Sequence, residues 1–211
     1  DFLVIMGANP YASNGSLCTA PDFPGRIEAI RARGGTVVVI DPRRSKTAEE
    51  ADRWLPIRPG TDALLLAAMV TALAQDGRIA PGEHVAPHLR GLDDVVAALA
   101  AFTPESVQQA TGISAADIRS LARDLVAARS GSVYGCIGTT TTEFGTTTSW
   151  LVDVVNIVTG NLDRRGGAMF IMPVVGAPTT RGKSGTGKAF SIGRGHTVAR
   201  HLPEVMSEYP A

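Results

Sequence analysis

Two carboxylates stand where a nucleotide could be held. Asp41 closes the run "TVVVID", and Asp62 follows "RPGT". An acid at a strand end grips ribose in nucleotide-binding folds, because one carboxylate can accept from two hydroxyls. Asp62 could receive the two parallel N–H donors of a guanine edge. Its alternative role is to complement the dipole of the helix it opens, worth under about 1 kcal/mol. Small polar residues surround them. Gly7 ends "FLVIM" and permits a tight turn; Asn9 and Ser13 in "GANPYASNG" offer short side chains and main-chain N–H groups to phosphate or hydroxyl oxygens. An ordinary turn is the other reading of that stretch. After Asp41, Pro42 fixes the turn, and Arg43 or Arg44 could face a phosphate. Gly60 and Thr61 lead into a helix N-terminus that can meet an anion. Gly138 and Gly145 frame a threonine-rich stretch, "GCIGTTTTEFGTTT", suited to a polar heterocycle or to a plain strand.

Other motifs carry less. "RGKSGTGKAF" has the frame of a phosphate-gripping P-loop, with Gly182, Gly187 and Lys188. Ala189 stands where such a loop needs a Ser or Thr for Mg²⁺, and no helix pattern follows. It reads as a basic surface segment. His84 and His88 have a helical metal-ligand spacing, but Pro87 intervenes and both read as exposed. Arg164 and Arg165 read as solvated, with a phosphate contact in the intact protein as the alternative. Cys18 and Cys136 lie in no CxxC frame, so the cysteines build no zinc or iron–sulfur site; two free thiols are expected. No metal ligand and no catalytic residue is assigned.

Strand and helix patterns must position these residues. Phe2–Met6 and Thr36–Asp41 are continuous apolar runs that resemble parallel strands buried on both faces. Between them "DFPGRIEAIRARGG" reads as a helix with Ile27 and Ile30 inward, stopped at Gly34 and Gly35, with a right-handed crossover expected. Arg53–Ile57 supplies a short third strand. A helix capped by Thr61 and ended by Gly77 is apolar nearly all round and therefore buried. Residues 92–128 read as helical, with Thr103 and Ser114 as N-caps and Ile113 and Ile118 as a hydrophobic staple. "GSVYGCIG" is a fourth strand, and Ser149–Gly160 a helix. The fold class is α/β: a doubly wound, mostly parallel, Rossmann-like sheet, carrying a small helical insertion at about 78–130 in a domain of residues 1–173. Residues 174–211 form an irregular tail. Such sheets bind ligands beyond the carboxyl ends of their strands, where the residues above lie.

The 211 residues are 44% hydrophobic and 19% charged, with no net charge. That balance argues against a nucleic-acid footprint of clustered Lys and Arg. No apolar run approaches the ~20 residues of a membrane span. The sequence opens directly on a strand, without Met or a signal peptide, which suggests a piece of a longer protein. A cytoplasmic location is expected, with the periplasm as the alternative.

"GANP" followed by Ser13, then "VVVIDPRRSKTAEEADRWLPIRPGTDALLLAAM", then "TGNLDRRGGAMF" resemble the molybdopterin oxidoreductases of the dimethyl sulfoxide reductase family, which include formate dehydrogenases and nitrate reductases. The likeness runs over essentially the whole chain, down to "LPEV". It implies a cofactor-binding segment of a large catalytic subunit, with molybdenum or tungsten held by two molybdopterin guanine dinucleotides. Gly7, Asn9, Pro10 and Ser13 would then line phosphates, with Arg43 nearby. Asp41 and Asp62 would hold ribose and guanine, with Gly60 allowing close approach. Gly138, Thr139 and Thr142 would approach the pterin. The chain departs from the family pattern at Cys136, where Arg is usual, at Thr142, where Gln is usual, and at Arg165, where Pro is usual. The resemblance places a [4Fe–4S] centre and the metal-ligating residue upstream of residue 1, and makes the remaining domains of the same polypeptide the partners. This segment alone would then be inactive. A P-loop-like NTPase and a non-catalytic nucleotide-binding module are the competing readings.

Overall fold

The computed structural model of the protein describes residues 1–14, 20–169, 192–196, 201 and 203–205. The P-loop-like stretch at 181–190 and Cys18 lie outside the described residues, as does most of 170–211. The chain divides into two units, Asp1–Met169 and Phe170–Ala211.

The first unit is built on β1 (Phe2–Met6), β2 (Thr36–Ile40), β3 (Arg53–Leu55) and β4 (Gly131–Gly135), all parallel, in the order β3-β2-β1-β4. The chain steps from β1 through β2 to β3 on one side, then returns to add β4 on the other side of β1. The direction of winding therefore changes between β1 and β4, which is where such sheets open a crevice.

Alternation along β1 and β2 sorts the core into two layers. Val4, Met6, Val38 and Ile40 join the larger cluster, with Leu66, Met69, Leu121 and Val155. Ile5, Val37 and Val39 point the other way, to Ile27 and Ala48. The second face is covered by α2 (Phe23–Ala32) and α3 (Lys46–Glu49). Ile27 is fully buried in that layer and Ile30 packs at its margin. A four-residue turn, α1 (Pro10–Ser13), leads from β1 toward them.

On the larger face α4 (Asp62–Gln75) is the central helix, with Leu65 to Leu73 buried on every side. Around it pack α5 (Leu92–Leu99), α6 (Pro104–Thr111), α7 (Ala115–Ala127) and, after β4 and the short α8 (Ile137–Thr140), α9 (Gly145–Val158). The helical insertion is thus a cap on α4. Its caps form as the residue types require: Thr103 accepts from Ser106 N–H at 3.1 Å, and Ser114 accepts from Asp117 N–H while donating to its carboxylate at 2.6 Å.

Two readings shift. The helix expected from Ser149 begins at Gly145, because Thr146–Thr148 continue α9 rather than a loop. Thr148 spends both its N–H and its hydroxyl on the Phe144 carbonyl. Thr61 stands at the N-cap of α4, but its hydroxyl donates back to Arg58 O at 2.7 Å and caps nothing.

The outer edge of β4 is closed by side chains. Asn156 accepts from Val133 N–H and donates to Val133 O, both at 2.9 Å, and Asn161 accepts from Gly131 N–H at 3.0 Å. Both amides are 1% exposed. They meet Gly131 N–H and both main-chain groups of Val133 as a neighbouring strand would.

The second unit, taken by itself, contains a two-stranded antiparallel ladder, β5 (Ile192–His196) with β6 (Pro203–Val205), in the part read from sequence as an irregular tail. No described helix is long and apolar enough to cross a membrane.

Candidate functional site

A crevice of about 530 Å³ opens at the carboxyl ends of the strands, at the change of winding. That volume suits a nucleotide-sized ligand. Gly7, Asn9, Pro10 and Ser13 line it from the end of β1. Asp41 lines it from β2, Gly60 and Asp62 from the loop into α4, and Gly138 and Thr142 from beyond β4. Residues read separately at four strand ends therefore share one cavity. Two are not brought to it. Arg43 is exposed, and its N–H closes an Asx turn on the Asp41 carboxylate at 2.8 Å. Thr139 is 1% exposed, with its hydroxyl on Cys136 O at 2.7 Å.

The end of β1 and the start of α8 meet main chain to main chain. Gly138 N–H donates to Gly7 O at 2.9 Å. Gly7 has φ +57°, and a Cβ there would stand 2.7 Å from Thr139 N. A Cβ on Gly138 would stand 2.8 Å from Gly7 Cα. Neither glycine can carry a side chain without moving main chain. The next strand end is fixed by Asp41: its N–H reaches Leu55 O at 3.3 Å, and its carbonyl accepts from the Trp54 indole at 2.9 Å. Arg44, the other candidate to face a phosphate, has its guanidinium 5.7 Å from the Trp54 ring centre. Asn9 is held by Thr47, whose hydroxyl donates to Asn9 Oδ1 at 2.6 Å and accepts from Tyr11 N–H at 3.1 Å.

Asp62 is the most unusual group. It is 5% exposed, in the first turn of α4. Among the described residues its carboxylate meets one hydrogen-bond donor, its own main-chain N–H. Loss of water raises its pKa above the ordinary carboxylate value; the self hydrogen bond opposes this and the nearby Asp41 charge adds to it. A buried carboxylate with most acceptor positions unmatched costs stability. The loop that delivers Asp62 is pinned to the helical insertion: Arg58 N–H donates to Thr111 O, and its guanidinium to Gln109 O, both at 2.8 Å. Gly60, at φ +79° with open space around its Cβ position, leaves the wall bare beside Asp62.

The hydroxyl-rich stretch behaves differently from its composition. Thr139, Thr140, Thr141 and Thr142 turn their hydroxyls onto main-chain carbonyls of the preceding turn, so those donors are already used. Tyr134, Cys136, Ile137, Ile57 and Pro59 also line the crevice and were not assigned to it from sequence as ligand contacts. Their only signal was position: each sits within a few residues of a strand end. His84, away from this site, hydrogen-bonds the Leu162 carbonyl at 3.0 Å.

A family model described as molybdopterin oxidoreductase matches residues 1–200. The chain is 31% identical to a nitrate reductase of Symbiobacterium thermophilum, over 97% of this chain and 28% of that protein. It is 27% identical to formate dehydrogenase H of Escherichia coli, over 92% of this chain and 25% of that protein. The chain therefore spans little more than a quarter of the length of these relatives. The fold is shared with acetylene hydratase from Pelobacter acetylenicus, at TM-score 0.68 and 24% identity, over 85% of this chain and 23% of that one. With the family model covering nearly the full length and the strand-end crevice in place, this chain belongs to the molybdopterin oxidoreductase family.

Proposed function

We propose that this chain holds the guanine dinucleotide part of a molybdopterin cofactor, within a larger molybdenum- or tungsten-dependent oxidoreductase of the formate dehydrogenase or nitrate reductase type. The observation that carries the reading is Asp62: buried, with its own N–H as the one donor among the described residues, in the same crevice as Asp41. A guanine edge offers N1–H and N2–H₂ side by side, which one carboxylate accepts as a pair. Asp41 lines the same cavity and suits ribose hydroxyls. Asn9 and Ser13 suit phosphate oxygens, and Gly60 leaves room for the nucleotide against the wall.

When bound, the cofactor would supply the redox chemistry through its metal. This chain's own residues bind and orient: Asp62 and Asp41 fix the nucleotide end, and the Gly7–Gly138 contact sets the floor between β1 and α8. The metal ligand, an iron–sulfur centre, the substrate pocket and the other domains of the polypeptide would lie outside this segment. A cytoplasmic setting goes with this reading.

Calorimetry with GMP, GDP and ATP tests it. Guanine nucleotides should bind in preference to ATP, and Asp62→Ala should abolish that preference. A preference for ATP with magnesium, lost in Lys188→Ala, would instead support a P-loop-like NTPase. Failure of every nucleotide to bind would support a non-catalytic module.

A further inference from the structure

Cys136 is a free, half-buried thiol that nothing in the cofactor reading uses. It lines the same crevice as Asp62, and its N–H is tied to Met6 O at 3.1 Å, so it is fixed at the mouth between β1 and β4. Two neighbours with it on that wall are Tyr134 and Gly138. The independent sign that a ligand enters here is Asp62, 5% exposed with only its own amide as donor among the described residues. A thiol beside a cavity that fills and empties is accessible in one state and covered in the other.

We infer that Cys136 is a modification site controlling occupancy of the crevice: the bound nucleotide shields its thiol, and a small disulfide that reacts with it blocks the nucleotide. The inference rests on the reading proposed above. The step is thiol–disulfide exchange. Cys136 Sγ loses its proton to solvent and attacks one sulfur of a low-molecular-weight disulfide. A new S–S bond forms to Cys136, the original S–S bond breaks, and the other half leaves as its thiolate, which solvent reprotonates. An excess of free thiol reverses it. A glutathionyl group on Cys136 would stand in the crevice of about 530 Å³ that the nucleotide would fill.

The test uses the full chain with glutathione disulfide as probe, read by mass spectrometry on the Cys136 peptide alone. GDP at ten times its Kd should slow modification about elevenfold, the factor by which it depletes the empty state. The modified chain should lose GDP affinity at least tenfold and regain it on dithiothreitol treatment. With Cys18→Ser as the background throughout, so that Cys136 is the one thiol of the chain, Cys136→Ser, whatever its own GDP affinity, should lose all response to the disulfide. If GDP binds the untreated chain but neither slows modification nor binds the modified chain less tightly, the inference is overturned and the guanine reading stands. If GDP does not bind the untreated chain, the guanine reading fails and takes this inference with it.

Discussion

Gly7 and Gly138 touch main chain to main chain, with Gly138 N–H on Gly7 O at 2.9 Å. This contact joins the two strand ends between which the crevice opens. Gly7→Ala should therefore suffer twice, from its φ of +57° and from collision with Thr139 N at 2.7 Å. Gly60→Ala has φ +79° but meets nothing within 4 Å. The left-handed conformation alone costs about 1–2 kcal/mol, and forcing main chain apart adds about 1–3 kcal/mol. Urea denaturation should rank Gly7→Ala well below Gly60→Ala in stability; equal losses would show that the close approach does not form.

Asn156 closes the edge of β4 through both atoms of its amide on Val133. Asn156→Leu would keep the size but orphan a buried N–H and C=O, at about 1–3 kcal/mol each. A loss of about 2 kcal/mol or more in denaturant unfolding is expected. A loss under about 0.5 kcal/mol would mean that water or another segment satisfies that edge.

Asp62 ties stability and binding to pH with opposite signs. Burial raises its pKa, so between the ordinary carboxylate value and the raised one the folded state holds more protons than the unfolded state. Folding stability then falls as pH rises through that window, and stays lowered above it. Guanine donors need the ionised form, so guanine nucleotide affinity should rise over the same window. Asp62→Asn removes the buried charge and its repulsion with Asp41. At neutral pH it should melt higher than the parent protein while binding GDP at least thirtyfold more weakly, about 2 kcal/mol. Melting curves and GDP titrations across the acidic range check both; a destabilised Asp62→Asn would contradict the account.

Arg58 supports the loop from outside the crevice. Its guanidinium bond to Gln109 O is exposed, so Arg58→Ala should cost under about 1 kcal/mol of stability. The main-chain bond to Thr111 remains. Because Gly60 and Asp62 depend on that loop, GDP affinity should still fall a few-fold, about 1 kcal/mol. An unchanged affinity would show that the α6 side of the insertion does not position Asp62.

Much of this arrangement was legible in the sequence because its signals are local. The runs at Phe2–Met6 and Thr36–Asp41 resemble doubly buried strands, and the caps at Thr103 and Ser114 carry their own chemistry. Acids and glycines just after those strands had to converge at one end of a parallel sheet. What composition hid was how polar groups are spent. The threonines after Gly138 looked like ligand donors, yet their hydroxyls fold back on their own helix. Asn156 lies inside an apolar helix and finishes the sheet through both atoms of its amide. Thr61 looked like a cap and bonds backward to Arg58. Such choices depend on partners far along the chain, which no short window contains. The edge of β4 lies 23 residues from Asn156.

The central claim is that one carboxylate, Asp62, reads guanine inside the strand-end crevice. It is tested most directly by calorimetric titration of GDP, IDP and ADP into the parent chain and Asp62→Ala, at a pH where Asp62 is ionised. IDP keeps N1–H but lacks the exocyclic amine, and ADP offers neither donor in that place. The account predicts GDP tighter than IDP and IDP tighter than ADP in the parent chain, with the three converging in Asp62→Ala. Equal affinities in the parent chain, or a guanine preference that survives in Asp62→Ala, would contradict it.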